Sequence, residues 1–191
     1  MNGAVAQEAH AQLELDVVVW IPTGVAPHRV VEDDPGPERR FEMVEMTIAT
    51  DERFRVSRIE IEREGPSYTA DTLRQLHERE PDAELFLILG GDQALALPSW
   101  HEPEEVLARA TVAVFERGTS NRNTIAIKVG RLRGYDRLRF LEMPRIDISS
   151  TLVRRRAAAG KPIRYLVPDK VANFIGAQSL YGASEPASTS A

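Results

Sequence analysis

Residues 85–91 read Leu-Phe-Leu-Ile-Leu-Gly-Gly, five apolar side chains in an unbroken run that stops on two glycines. A strand with one wet face alternates apolar and polar residues. A run with no polar member belongs to a strand covered on both faces, as in a parallel sheet. Glu84–Leu89 therefore reads as a buried parallel strand, and the glycines after it permit close backbone approach to a ligand. Val17–Ile21 and Thr111–Phe115 are short apolar strands of the same kind, and Arg137–Met143 is a further strand. Arg55–Glu62 alternates apolar and charged residues (Val56, Ile59, Ile61), with a slip in phase near Ser57, and also reads as a strand. Amphipathic helices fall between them: residues 3–13, Pro35–Thr50 led by Pro37 with Phe41, Val44 and Ile48 on one face, Thr69–Arg79 with Leu73 and Leu76, and Glu102–Arg109. Ser149–Ala159 and Asp169–Ala177 close the chain. This alternation predicts an α/β fold, a parallel sheet with helices on both faces.

The chain has 191 residues, enough for one domain with a proper core. Hydrophobic residues make up 42% and charged residues 28%, ordinary for a globular protein. A net charge of -5 argues against coating nucleic acid, which needs a basic surface, although local basic clusters suit a small anionic ligand. The absence of cysteine excludes disulfides, thiolate nucleophiles and cysteine metal sites, and agrees with a reducing cytoplasm. No run approaches the ~18 apolar residues of a membrane span, and no signal peptide is visible. The end of the chain, GASEPASTSA (182–191), is small and polar and reads as a disordered tail. Asn121–Asn123 reads as a loop, and the 117–136 stretch as a variable helix over the sheet.

Ligands of parallel α/β sheets sit outside the carboxyl ends of the strands, so the stretches that follow the strands carry the candidate chemistry. PTGVAPHR (22–29) offers a tight Thr23-Gly24 turn with His28 and Arg29 beside it; a plain surface loop would contain the same residue types. In EGPSYTADTL (64–73), Ser67 or Thr69 can cap the next helix, with Asp71 in its first turn. The backbone N–H groups around Tyr68–Thr69 can receive an anion, and Tyr68 offers a ring for stacking. GGDQALALPSW (90–100) sets Gly90 and Asp92 at a strand–helix junction, with Trp100 in the loop beyond. Asp92 fits a ribose or metal partner or a helix cap, and Trp100 either stacks on a ligand or lids the core. In RIDISSTLVRRR (145–156), Ser149, Ser150 and Thr151 start a helix, and Arg154 projects one turn on. Hydroxyls, helix N–H groups and a guanidinium together suit a polyphosphate better than a merely solvated basic face. No G-x-S-x-G elbow is present, so none of these serines reads as a nucleophile.

Taken together, PTGVAPHR, EGPSYTADTL, GGDQALALPSW, DISSTLVRRR and KPIRYLVPDKVANFI resemble the ordered motifs of bacterial nicotinate-nucleotide adenylyltransferases, from about residue 5 to Tyr181. The ISSTxxR element is shared across the nucleotidyltransferase superfamily, whereas PSYT-x-DTL and IRYLVPD are narrower. The resemblance implies a Rossmann-like domain over residues 1–181 that transfers AMP from ATP to nicotinate mononucleotide, giving nicotinate adenine dinucleotide and pyrophosphate, with Mg²⁺. It implies that Ser149, Ser150, Thr151 and Arg154 hold the ATP phosphates and that Gly90 and Asp92 hold adenosine. Tyr68 and Thr69 would receive the nicotinate carboxylate and Trp100 would stack on the pyridine ring. Thr23, His28 and Arg29 belong to the substrate loop, with lysine more usual in the family at the last position. Nucleic acid and membrane are not expected as partners; the oligomeric state is left open, a homo-oligomer included. Phosphopantetheine adenylyltransferase is the neighbouring enzyme, which the PSYT stretch disfavours.

One departure stands out. The family pattern opens with a strand and GGTFDPxHxGH ahead of the helix that here contains Ala6–Ala9, and that segment falls before or at Met1. The four histidines, His10, His28, His77 and His101, form no H-x-G-H pair. The expected central strand and the histidines that would face the α-phosphate are thus outside this sequence, and such an electrostatic contact carries ~3 kcal/mol in the transition state. Intact downstream motifs lead us to expect a late start assignment, with a truncated fragment or an inactive nucleotide-binding protein as the alternatives.

Overall fold

The computed structural model describes residues 3–27, 33–115, 122–143 and 148–183. In chain order they form α1 (Gly3–Gln12), β1 (Val18–Trp20), α2 (Pro37–Ile48), β2 (Phe54–Val56), α3 (Thr69–Arg79), β3 (Leu85–Gly90) and α4 (Gly91–Ala96). Then come α5 (Pro103–Arg109), β4 (Ala110–Phe115), α6 (Arg122–Val129), β5 (Leu138–Leu141), α7 (Ser150–Ala158) and α8 (Asp169–Ala177). Among the described residues every strand pairing is parallel, in keeping with the apolar runs. The described strands make two ladders, β1 beside β2 and β3–β4–β5 in that order. They lie in two compact units: Asp16–Pro66 with Ile148–Ala191, and Ala4–Leu15 with Ser67–Asp147. Among the described residues no helix is long and apolar enough to cross a membrane.

The second unit is a sheet with apolar neighbours on both faces, although residues 85–88 of β3, read above as buried, are only half-buried. Its middle strand, β4, is buried at every residue. Val112 and Val114 join Leu73, Val106, Leu107, Ile125 and Val129 in one cluster, while Ala113 and Phe115 join Val5 and Ala9 of α1 in another. Two apolar faces with a period of two produce the continuous runs at 85–89 and 111–115. The Gln12 side chain fastens the end of α1. Its amide donates to the Glu142 carbonyl at 2.6 Å and accepts from the Glu142 N–H at 2.9 Å, like one more strand residue beyond β5.

In the first unit, α2 connects β1 to β2 and contributes Met43 and Met46 to a core made by Val153 and Ala157 of α7, Ile163, and Val171 and Ile175 of α8. Pro37 opens α2, as predicted, behind Gly36, whose φ of 85° suits glycine.

Two expectations need correction. The strand predicted over Arg55–Glu62 ends at Val56. Ser57 still donates to the Trp20 carbonyl at 2.9 Å, but the next donor along β1 would be Pro22, which has no N–H. The chain turns there, with the N–H groups of Ile61 and Glu62 donating to the Arg58 carbonyl at 2.8 and 2.9 Å. The loop predicted at Asn121–Asn123 is in part helix, since α6 begins at Arg122; Asn121 lies outside the described residues. Ile125 and Val129, both fully buried and one turn apart, hold α6 on the core, and that burial outweighs the turn preference of Asn123. Of the predicted tail, residues 184–191 also lie outside the described set.

Candidate active site

At the start of α7, Ser149 is extended (φ -118°, ψ 153°) and its hydroxyl oxygen accepts from the Leu152 N–H at 3.1 Å. This caps one of the first-turn donors, while Ser150 and Thr151 stand exposed in the same turn. Arg154, half-buried, donates from Nη2 to Thr151 Oγ1 at 3.4 Å. A positive helix end, three hydroxyls and a guanidinium thus share one small surface, a geometry suited to phosphate. Arg154 also lies within electrostatic reach of Tyr181 on the closing turn Leu180–Gly182, as do Asp34 and Arg40. Burial pushes the Tyr181 phenol above its ordinary value and Asp34 adds to this, while the two arginines pull it back.

Thr23, half-buried in the stretch after β1, presents its carbonyl to Arg40 of α2. His28 and Arg29 lie outside the described residues.

The second unit holds the remaining candidates. Gly90 ends β3 with an ordinary φ of -74°, and a Cβ placed there would touch the Phe115 ring at 3.5 and 3.7 Å, normal contact distances. The fold itself therefore tolerates a side chain at Gly90. Asp92 lies exposed in the first turn of α4, where the helix dipole favours a carboxylate.

Tyr68, rather than Ser67 or Thr69, occupies the cap position of α3; its side chain makes no capping bond, and Thr69 is the first helical residue. The Tyr68 ring stacks on His101, with centroids 4.3 Å apart and planes tilted by 33°. Trp100 packs against the edge of the core that contains Leu97 and Leu107 and stays half-exposed. Arg74 joins these parts: one arm bonds Asp71 at 2.6 Å, and the other bonds Glu102 at 2.9 Å across 28 residues of chain.

Tyr68, Thr69 and Trp100 thus lie in one unit, with the Tyr68 ring on His101, and Ser149, Ser150, Thr151 and Arg154 lie at the α7 start in the other. Sequence reading missed His101, Arg74, Arg40 and Tyr181. His101 had a faint signal, its place directly after Trp100 and before the proline that opens α5. Arg40 had none, because one arginine on a solvated helix face looks like another.

Parallel strands, intervening helices and a capped, arginine-bearing helix start define a parallel α/β protein with a helix end suited to phosphate. Residues 2–156 match the Cytidylyltransferase-like family. A probable nicotinate-nucleotide adenylyltransferase of Rubrobacter xylanophilus is 37% identical over 180 residues, 94% of this chain and 84% of the relative. One from Roseiflexus is 40% identical over 178 residues, 93% of this chain and 89% of the relative. The fold is shared with the solved structure of Plasmodium falciparum nicotinic acid mononucleotide adenylyltransferase complexed with NaAD, at a TM-score of 0.74 and 15% identity, covering 94% of this chain and 91% of that one. The chain belongs to the cytidylyltransferase-like family and, within it, to the nicotinate-nucleotide adenylyltransferases.

Proposed function

We propose that this chain transfers AMP from ATP to nicotinate mononucleotide, forming nicotinate adenine dinucleotide and pyrophosphate in NAD biosynthesis. The observation that supports the reading is the α7 start, where the Ser149 cap, the exposed Thr151 and Arg154 share one helix end in a member of this family. In the reaction, a phosphate oxygen of the mononucleotide attacks the α-phosphorus in line and pyrophosphate leaves. No protein nucleophile is required, and the chain's task is to position the partners and neutralise charge.

In this scheme Ser149, Ser150, Thr151 and Arg154 hold the ATP phosphates, and Gly90 and Asp92 hold the adenosine. The backbone at Tyr68 and Thr69 receives the nicotinate carboxylate and Trp100 stacks on the pyridine ring. Thr23, His28 and Arg29 are assigned to mononucleotide binding. Mg²⁺ comes with ATP and neutralises its phosphates. It keeps several of its waters and asks little of the protein; the exposed Asp92 carboxylate suits that requirement, and among the described residues no three His, Asp or Glu side chains converge to form a resident metal cage. An enzyme that draws on ATP and a free mononucleotide belongs in the cytoplasm.

The test is pyrophosphate release by the purified chain with ATP, Mg²⁺ and nicotinate mononucleotide. Release that depends on the mononucleotide upholds the assignment. ATP binding with no release would overturn transfer.

A further inference from the structure

Arg40 is a charged residue that the scheme above leaves without a task. It lies in the first turns of α2, and its side chain is 25% exposed. One arm of the guanidinium bonds both carboxylate oxygens of Asp34. The other donates to the Thr23 carbonyl at 2.5 Å and to the Gly24 carbonyl at 3.3 Å. Thr23 and Gly24 follow β1 at its carboxyl end, where sheets of this kind take their ligands. Asp34 stands on the return of the chain to α2. A single rigid group therefore joins Thr23 and Asp34, 17 residues from one and 6 from the other.

Only arginine does this. Its planar fork presents donors in fixed directions, whereas a lysine ammonium is a compact point charge that cannot serve a carboxylate and two carbonyls together. The Asp34 partner also argues against Arg40 as a phosphate ligand, since its charge is already matched. Arg154, whose side chain makes a long 3.4 Å bond to the neutral Thr151 hydroxyl, suits that role better.

We propose that Arg40 is a positioning residue, clamping Thr23 and Gly24 against Asp34 so that the stretch after β1 is preset for nicotinate mononucleotide. Presetting lowers the ordering cost of binding and so appears as affinity. The proposal rests on the functional reading above.

Calorimetric titration of the full chain with nicotinate mononucleotide, and separately with ATP, tests it, alongside thermal melts. Arg40→Gln is expected to weaken mononucleotide binding about tenfold, the scale of a lost charged hydrogen bond, with ATP moving less than about threefold. Arg40→Lys keeps the charge and stays close to the Gln variant. Asp34→Asn keeps the carbonyl bonds and loses about two- to threefold. An Arg40→Gln chain that melts lower yet binds the mononucleotide with native affinity would overturn the clamp and leave Arg40 a purely stabilising residue. If that variant does not fold, native affinity in Arg40→Lys overturns it equally. A native chain that binds no mononucleotide overturns the functional reading itself, and the clamp with it.

Discussion

Replacing Ser149 with alanine separates the two tasks assigned to its hydroxyl. The oxygen accepts the Leu152 N–H at 3.1 Å, so the substitution removes the cap of α7. Loss of such a cap costs about 1 kcal/mol. In a chain of this length, 1 kcal/mol lowers Tm by about 2–4 °C, a shift the fold survives. The hydroxyl proton is not used by the cap and remains available to a phosphate oxygen. A hydrogen bond to a charged group carries about 1.5–3 kcal/mol, so ATP affinity should fall at least about tenfold, more than the cap alone explains. Thermal melts and calorimetric titration with ATP on Ser149→Ala and Ser149→Thr read both terms. Threonine keeps the cap and the donor and should stay close to native on each. A Ser149→Ala chain with lowered Tm and unchanged ATP affinity would reduce Ser149 to a helix cap. An unchanged Tm would mean that the 3.1 Å bond carries no stability.

Gly90→Ala should leave Tm level or raise it by a degree or two, since φ is ordinary and the new Cβ meets Phe115 at 3.5 Å; ATP titration should nevertheless weaken, and unchanged affinity would remove Gly90 from the adenosine contact. Leu107→Ala, at a fully buried position, should cost about 2–5 kcal/mol, read as a lower urea midpoint at constant slope. Tyr181 should govern stability at alkaline pH. Its phenol is held above the usual 10 chiefly by burial, so the folded chain keeps a proton that the unfolded chain has lost. That contribution is complete below about pH 10 and is lost as pH rises through the folded value. Tyr181→Phe should therefore flatten the decline in urea midpoint above pH 10, and an identical decline in both chains would count against it.

The class of fold was legible in the sequence because burial on both faces leaves a mark in every residue of a strand. The runs at 85–89 and 111–115 become β3 and β4, and β4 is buried throughout. Helix starts were legible where a short-range rule applies: Pro37 behind Gly36, and Ser149 bonded to an amide three residues on. Among the candidate site residues, this made the α7 group the most readable. Tyr68 was less so, because its ring contact is to His101, 33 positions away (101 − 68), which no local pattern encodes.

Left to itself, then, the sequence determines the parallel α/β class, the places where most helices begin, and the ordered motifs that mark the family, since each depends on composition or on spacings of a few residues. Tertiary structure alone decides where β2 stops, because the missing donor is Pro22 on the neighbouring strand. It decides that Asn123 is helical, because Ile125 and Val129 are buried in the core cluster of the second unit. It also fixes Arg40 and Arg74, whose partners lie 17 and 28 residues away. Hydrogen bonds and burial act between neighbours in space, and at those separations only the folded chain makes these residues neighbours.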